Sequence, residues 1–90
     1  MLSHTTITPQ IENNVIEAFK LLHSRGVCHG DVRTANVLIR EDGRVVLVDF
    51  ENSVLNADKL MLLEEEDEVK HMLQFAKSRH GIGIGAVDAW

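Results

Sequence analysis

Apolar side chains recur at Ile11, Val15, Ala18, Phe19 and Leu22. Gaps of three and four residues put them on one face of a helix. Thr8-Pro9 stands just before the run. A threonine oxygen can take up an N–H of the first turn, and proline loses nothing at a position where its missing N–H would have no helical acceptor. Gly26 follows the run, where the left-handed conformation that ends many helices suits glycine. The pattern predicts an amphipathic helix over residues 9–24.

The periodicity then changes. Val37-Leu38-Ile39-Arg40 and Arg44-Val45-Val46-Leu47-Val48 are β-rich runs of strand length. Asp42-Gly43 between them suits a two-residue hairpin loop, which needs positive φ at both positions. A hairpin closed this way sets Glu41 against Arg44, Val37 against Val48, and Asn36 against Asp49. Beyond Asn52 the pattern predicts a loop with a short helical turn around residues 55–63. A second helix follows over residues 64–77, with Val69, Met72, Leu73 and Ala76 on one face. Its acidic start, Glu64-Glu65-Glu66-Asp67-Glu68, reads as a solvated first turn favoured by the helix dipole. Residues 79–90, with glycine alternating at 81, 83 and 85, read as a flexible tail.

Composition narrows the class. With 90 residues, 44% hydrophobic and 26% charged, the chain is one small globular domain or part of a larger one, and too apolar to be disordered. A net charge of −5 without a basic cluster argues against nucleic-acid binding. The start has no signal-peptide pattern, and no apolar stretch approaches the roughly 20 residues that span a bilayer. An intracellular, cytoplasmic protein without membrane contact is expected. Cys28, the single cysteine, reads as a packed thiol beside Val27.

The expected hairpin has a chemical consequence. Directly opposed residues project to the same side, with Cβ atoms about 4.5–5.5 Å apart, so Asn36 and Asp49 would converge as hard oxygen ligands suited to Mg²⁺. Asp31, on the loop feeding the first strand, can return a carboxylate to the same end and accept or orient the proton of a hydroxyl. Arg33 would add a fixed positive charge where a phosphoryl group needs neutralising. Asp31, Asn36 and Asp49 could each be a turn or cap residue, but that explains them singly and not their convergence. His23, His29 and Asp31 straddle a helix end without a fourth ligand, so a zinc site is not expected.

The stretch Leu22-His23-Ser24-Arg25-Gly26-Val27-Cys28-His29-Gly30-Asp31-Val32-Arg33-Thr34-Ala35-Asn36-Val37-Leu38-Ile39 resembles the catalytic loop of the protein-kinase-like superfamily with its preceding helix. Asp49-Phe50-Glu51 resembles that family's metal-binding D-F-G. The resemblance covers residues 10–52. It implies Asp31 as catalytic base, Arg33 in place of the phosphate-contacting lysine, Asn36 and Asp49 as ligands for Mg and ATP, and His29 and Phe50 as packing residues behind the site. Asp67 would be a candidate for the buried aspartate that braces the catalytic loop.

Four departures qualify what the resemblance implies. Gly30 replaces the arginine of H-R-D, so control through a phosphorylated activation loop is not expected. The H-G-D form is also similar to aminoglycoside and choline kinase types. Glu51 replaces the glycine of D-F-G, and no A-P-E triplet occurs. Upstream of the first helix there is no glycine-rich loop, nucleotide-anchoring lysine or αC glutamate, the elements that cover ATP. The expected fold is α+β: over residues 1–90, a partial protein-kinase-like C-lobe of helix, catalytic loop, β-hairpin, metal loop and helix. The expected function is ATP- and Mg-dependent phosphoryl transfer to a hydroxyl, a protein serine or threonine being favoured, with the isolated chain inactive. The alternatives are a non-catalytic kinase-like module whose partner covers the missing N-lobe surface, and a small-molecule phosphotransferase fragment.

Overall fold

Thr8 is extended, and its Oγ1 accepts the Ile11 N–H at 3.1 Å. The helix it caps, α1, spans Pro9–Ser24, as the periodicity predicts. At the other end Gly26 takes φ 74°. Its N–H bonds the His23 carbonyl at 2.9 Å and the Val27 N–H bonds the Leu22 carbonyl at 3.3 Å, the two bonds of a glycine-terminated helix. This is a computed structural model; it describes residues 2–3, 7–78 and 85–87, with side chains over 7–77.

Strands β2 (Val37–Ile39) and β3 (Val45–Leu47) form the predicted hairpin. The register differs from the expected one by one residue: Val37 pairs with Leu47, Leu38 with Val46 and Ile39 with Val45. The loop is residues 41–43, closed by Gly43 N–H to the Arg40 carbonyl at 2.9 Å and Arg40 N–H to the Arg44 carbonyl at 2.8 Å. Only Gly43 needs positive φ here, at 86°, which a three-residue loop ending on a left-handed glycine provides. Asp42 helps by accepting the Arg44 N–H on Oδ1 at 3.0 Å, a local bond typical of aspartate in turns. Asn36 therefore lies opposite Val48, whose N–H it accepts at 3.0 Å, and not opposite Asp49.

The second helix, α2, spans Lys59–Ser78 and so begins before residue 64. Asp58 caps it, accepting the Met61 N–H on Oδ1 at 2.9 Å and the Leu62 N–H on its carbonyl at 3.1 Å. The helical turn expected around residues 55–63 and the helix expected after it are one element. The acidic run accordingly lies in mid-helix and not in a first turn.

The two helices run antiparallel. Glu12, near the start of α1, pairs with Lys77, near the end of α2, at 3.0 Å, while His23 meets Glu65 at 2.7 Å. Between them and the hairpin lies one core of Val15, Phe19, Val37, Ile39, Val69, Met72, Leu73 and Ala76. Asn14 anchors the hairpin tip to α1 through Nδ2 and the Gly43 carbonyl, 3.0 Å apart. The tail expected over 79–90 is described only at β4 (Gly85–Val87), parallel to β2 and antiparallel to β1 (Leu2–Ser3); the rest lies outside the described residues. The α+β arrangement of helix, loop, hairpin, loop and helix is present. Among the described residues no helix is long and apolar enough to cross a membrane.

Candidate active site

The loop between α1 and β2 is held from three directions. Cys28 exchanges N–H···O bonds with Val54 at 3.0 and 2.9 Å, and the Ala57 N–H reaches the Gly26 carbonyl at 2.8 Å. The chain returning from the hairpin thus lies against residues 26–28. This approach is close enough that a Cβ on Gly30 would overlap the Asn52 carbonyl, and Gly30 also has φ 89°. Glycine at this position, in place of a larger residue, is what lets the two segments meet. Cys28 is buried; burial first, then the carboxylates of Glu65, Glu68 and Asp58, push its thiol pKa up, as for the packed thiol expected.

The second hold is His29, fully buried. Its Nε2 lies 2.7 Å from the Val48 carbonyl and its Nδ1 accepts the Asp31 N–H at 3.2 Å. A carbonyl can only accept and an N–H can only donate, so the ring carries its proton on Nε2. The ring lies beside Phe19, 6.2 Å between centroids, and Phe50, 4.7 Å. One imidazole therefore joins the loop before β2 to the loop after β3.

The third hold is Glu65 of α2, 4% exposed. Its Oε1 accepts the His29 N–H at 2.8 Å, its Oε2 the Gly30 N–H at 2.9 Å, and Oε1 also meets His23 Nε2 at 2.7 Å. Burial alone would raise the pKa. The Gly30 and His29 N–H groups, with His23, outweigh it and leave the carboxyl below its ordinary value. Asp67, considered for this bracing part from the sequence, is exposed. The signal for Glu65 was one of phase: residues 65, 69, 72, 73 and 76 share a helical face, and once α2 starts at Lys59 that face is the buried one.

These holds aim three polar side chains at one place. Asn36, buried at the end of a short 3₁₀ turn (Thr34–Asn36), donates through Nδ2 to the Asp31 carbonyl at 2.9 Å and to Asp31 Oδ2 at 3.1 Å. Arg33 Nε pairs with Asp31 Oδ1 at 3.2 Å. Asp31 keeps its side chain 26% exposed, so solvent or a ligand can reach it. Asp49 follows Val48 directly and is exposed, with φ 63°. Aspartate is among the few residues enriched in that region, and the kink takes the chain out of the ladder toward Phe50. Asp31, Arg33 and Asn36 are in mutual contact, while Asp49 stands next in the chain to Val48, whose N–H bonds the Asn36 carbonyl at 3.0 Å. With both amide hydrogens used, Asn36 has Oδ1 to offer a cation, and an exposed carboxylate at Asp49 suits the same hard ion.

The family model for the protein kinase domain matches residues 2–71. The chain belongs to the protein kinase family. Among curated relatives, this kinase chain is 30% identical over 79 residues to "Protein kinase PINOID" of Oryza sativa subsp. japonica, covering 76% of this chain and 16% of the relative. It is 36% identical over 61 residues to "Probable serine/threonine-protein kinase YbdM" of Bacillus subtilis (strain 168), covering 68% and 22%. A shorter match, 44% over 36 residues, is to "Serine/threonine-protein kinase PAK 4" of Homo sapiens, covering 40% and 6%. The chain thus spans about a fifth of the length of the first two. No solved structure gives a significant match. The loop braced by Glu65 and the loop that begins at Asp49 are joined through His29.

Proposed function

We propose that this chain carries the catalytic and metal loops of a kinase that transfers the γ-phosphoryl group of ATP, with Mg²⁺, to a hydroxyl, a protein serine or threonine being favoured. The observation behind this reading is the Asp31 cluster: a half-exposed carboxylate fixed by Asn36 and flanked by a guanidinium. In this reading Asp31 accepts and orients the hydroxyl proton, and geometry fixed before the substrate arrives is what makes such a group effective. Arg33, with its side chain 64% exposed, can turn from Asp31 toward a phosphate without losing buried contacts. Asn36 Oδ1 and the Asp49 carboxylate would hold the metal, which supplies charge neutralisation at the phosphates when bound. The preference for a protein acceptor rests on relatives whose names specify serine/threonine-protein kinases.

Mn²⁺ with ATP tests the metal claim, because a paramagnetic ion broadens the amide resonances nearest to it. The expected result is selective broadening at Asn36 and Asp49, lost in Asp49→Ala. Broadening that is absent, or indifferent to Asp49→Ala, would overturn the metal site and favour a non-catalytic kinase-like module.

A further inference from the structure

We propose that His23 makes the seating of the Asp31 loop depend on pH: its imidazolium ties α1 to Glu65, and loss of the ring's charge loosens the loop that Glu65 braces. The inference concerns the brace and stands whether or not Asp31 acts in phosphoryl transfer. His23 lies in the last turn of α1, where the negative end of the helix dipole favours a cation. Its Nε2 is 2.7 Å from Glu65 Oε1, and the two side chains are only 11% and 4% exposed. The same oxygen accepts the His29 N–H at 2.8 Å, while Oε2 accepts that of Gly30 at 2.9 Å. One carboxylate thus couples the ring to the two amides just before Asp31.

The two histidines at this brace differ in what the second ring nitrogen does. His29 donates from Nε2 to the Val48 carbonyl and accepts the Asp31 N–H on Nδ1, which leaves no place for a second proton. For His23 only Nε2 is engaged among the described residues, so Nδ1 can take one up. Imidazole is the side chain whose charge ordinarily changes between about pH 5 and 8. Lys20 stands one turn earlier on α1, and Glu66 and Lys70 of α2 line the same cleft of about 240 Å³ as His23. Lys20 is paired with Glu17 and Lys70 with Glu66, each at 3.8 Å. From the loop, the Cys28 thiol near Glu65 is pushed toward its neutral form by burial and by that carboxylate. Glu65 has no lysine or arginine partner among the described residues, so His23 is the cation within its reach. Without that charge a nearly closed carboxylate keeps neutral donors only, an arrangement that burial penalises.

The test follows ring and amide resonances of the full 90-residue chain across about pH 5 to 8. The His29 and Gly30 amides are expected to shift with the midpoint of the His23 ring. Their hydrogen exchange, corrected for the intrinsic rate, should be about tenfold slower on the acidic side of that midpoint. His23→Gln keeps an N–H for Glu65 but carries no charge, so these amides should lose the dependence while far-UV ellipticity is kept. His71→Gln, at an exposed position of α2, should leave the dependence intact. Amides that stay fixed while the His23 ring titrates, or that follow the His71 ring, would overturn the proposal. So would a His23 ring that keeps one form across this range, or a dependence that persists in His23→Gln. Should that variant fail to fold, the parent titration decides alone.

Discussion

Glu65 carries a carboxylate into a nearly closed site, and three donors converge on it. Removing it in Glu65→Ala leaves the His29 and Gly30 N–H groups without their acceptor, at a cost of about 3–5 kcal/mol in unfolding experiments. Its folded pKa lies below the ordinary glutamate value of about 4.3. The contribution to stability is therefore complete above that pH and is lost as pH falls through the lower, folded value. Thermal melts of Glu65→Gln should show a weaker dependence on pH in that acidic window than the parent chain. Gly30 makes a second residue-scale prediction. Both its φ and the nearby Asn52 carbonyl exclude a side chain, so Gly30→Ala should cost about 2–4 kcal/mol and weaken amide protection at Cys28 and Val54. At this scale the sequence disclosed Asp31, Arg33 and Asn36, because they stand close together on one loop. Glu65 was legible only through its phase with Val69, Met72, Leu73 and Ala76, since residue type does not separate it from the four other acids of its run.

Among the elements, α1 was legible because both of its ends are written in local chemistry. Thr8→Ala should cost about 1 kcal/mol by removing the cap. Gly26→Ala meets no neighbour, so its cost of about 1–2 kcal/mol should reflect backbone conformation alone, and a D-alanine at the same position should recover it. The hairpin was legible as a hairpin but not in register. Asp42-Gly43 fits a two-residue and a three-residue loop, and the choice is settled by the bonds of Gly43 and Arg44. The start of α2 was obscured by Leu60-Met61-Leu62-Leu63, which shows no period. Leu60 and Leu63 are in fact exposed, so the segment carries no one-sided stripe, and Asp58 was the signal that marked the beginning.

At the scale of the molecule, one core serves α1, β2 and α2 together. Leu73, 1% exposed, should cost about 2–5 kcal/mol when cut to alanine. Far-UV ellipticity and the His29 ring resonances should then fall in one transition, since no element keeps a core of its own. Two separate transitions would show that the hairpin or a helix folds independently. The Glu65 brace also imposes a timetable on the nascent chain. His29 and its acceptor are separated by 36 positions, and His23 and the same acceptor by 42. At a translation rate of about 5–20 residues per second, the loop bearing Asp31 waits about 2–7 s for the residue that fixes it. Until then its amides are satisfied by water, and the reactive geometry is acquired only when the second helix has been made.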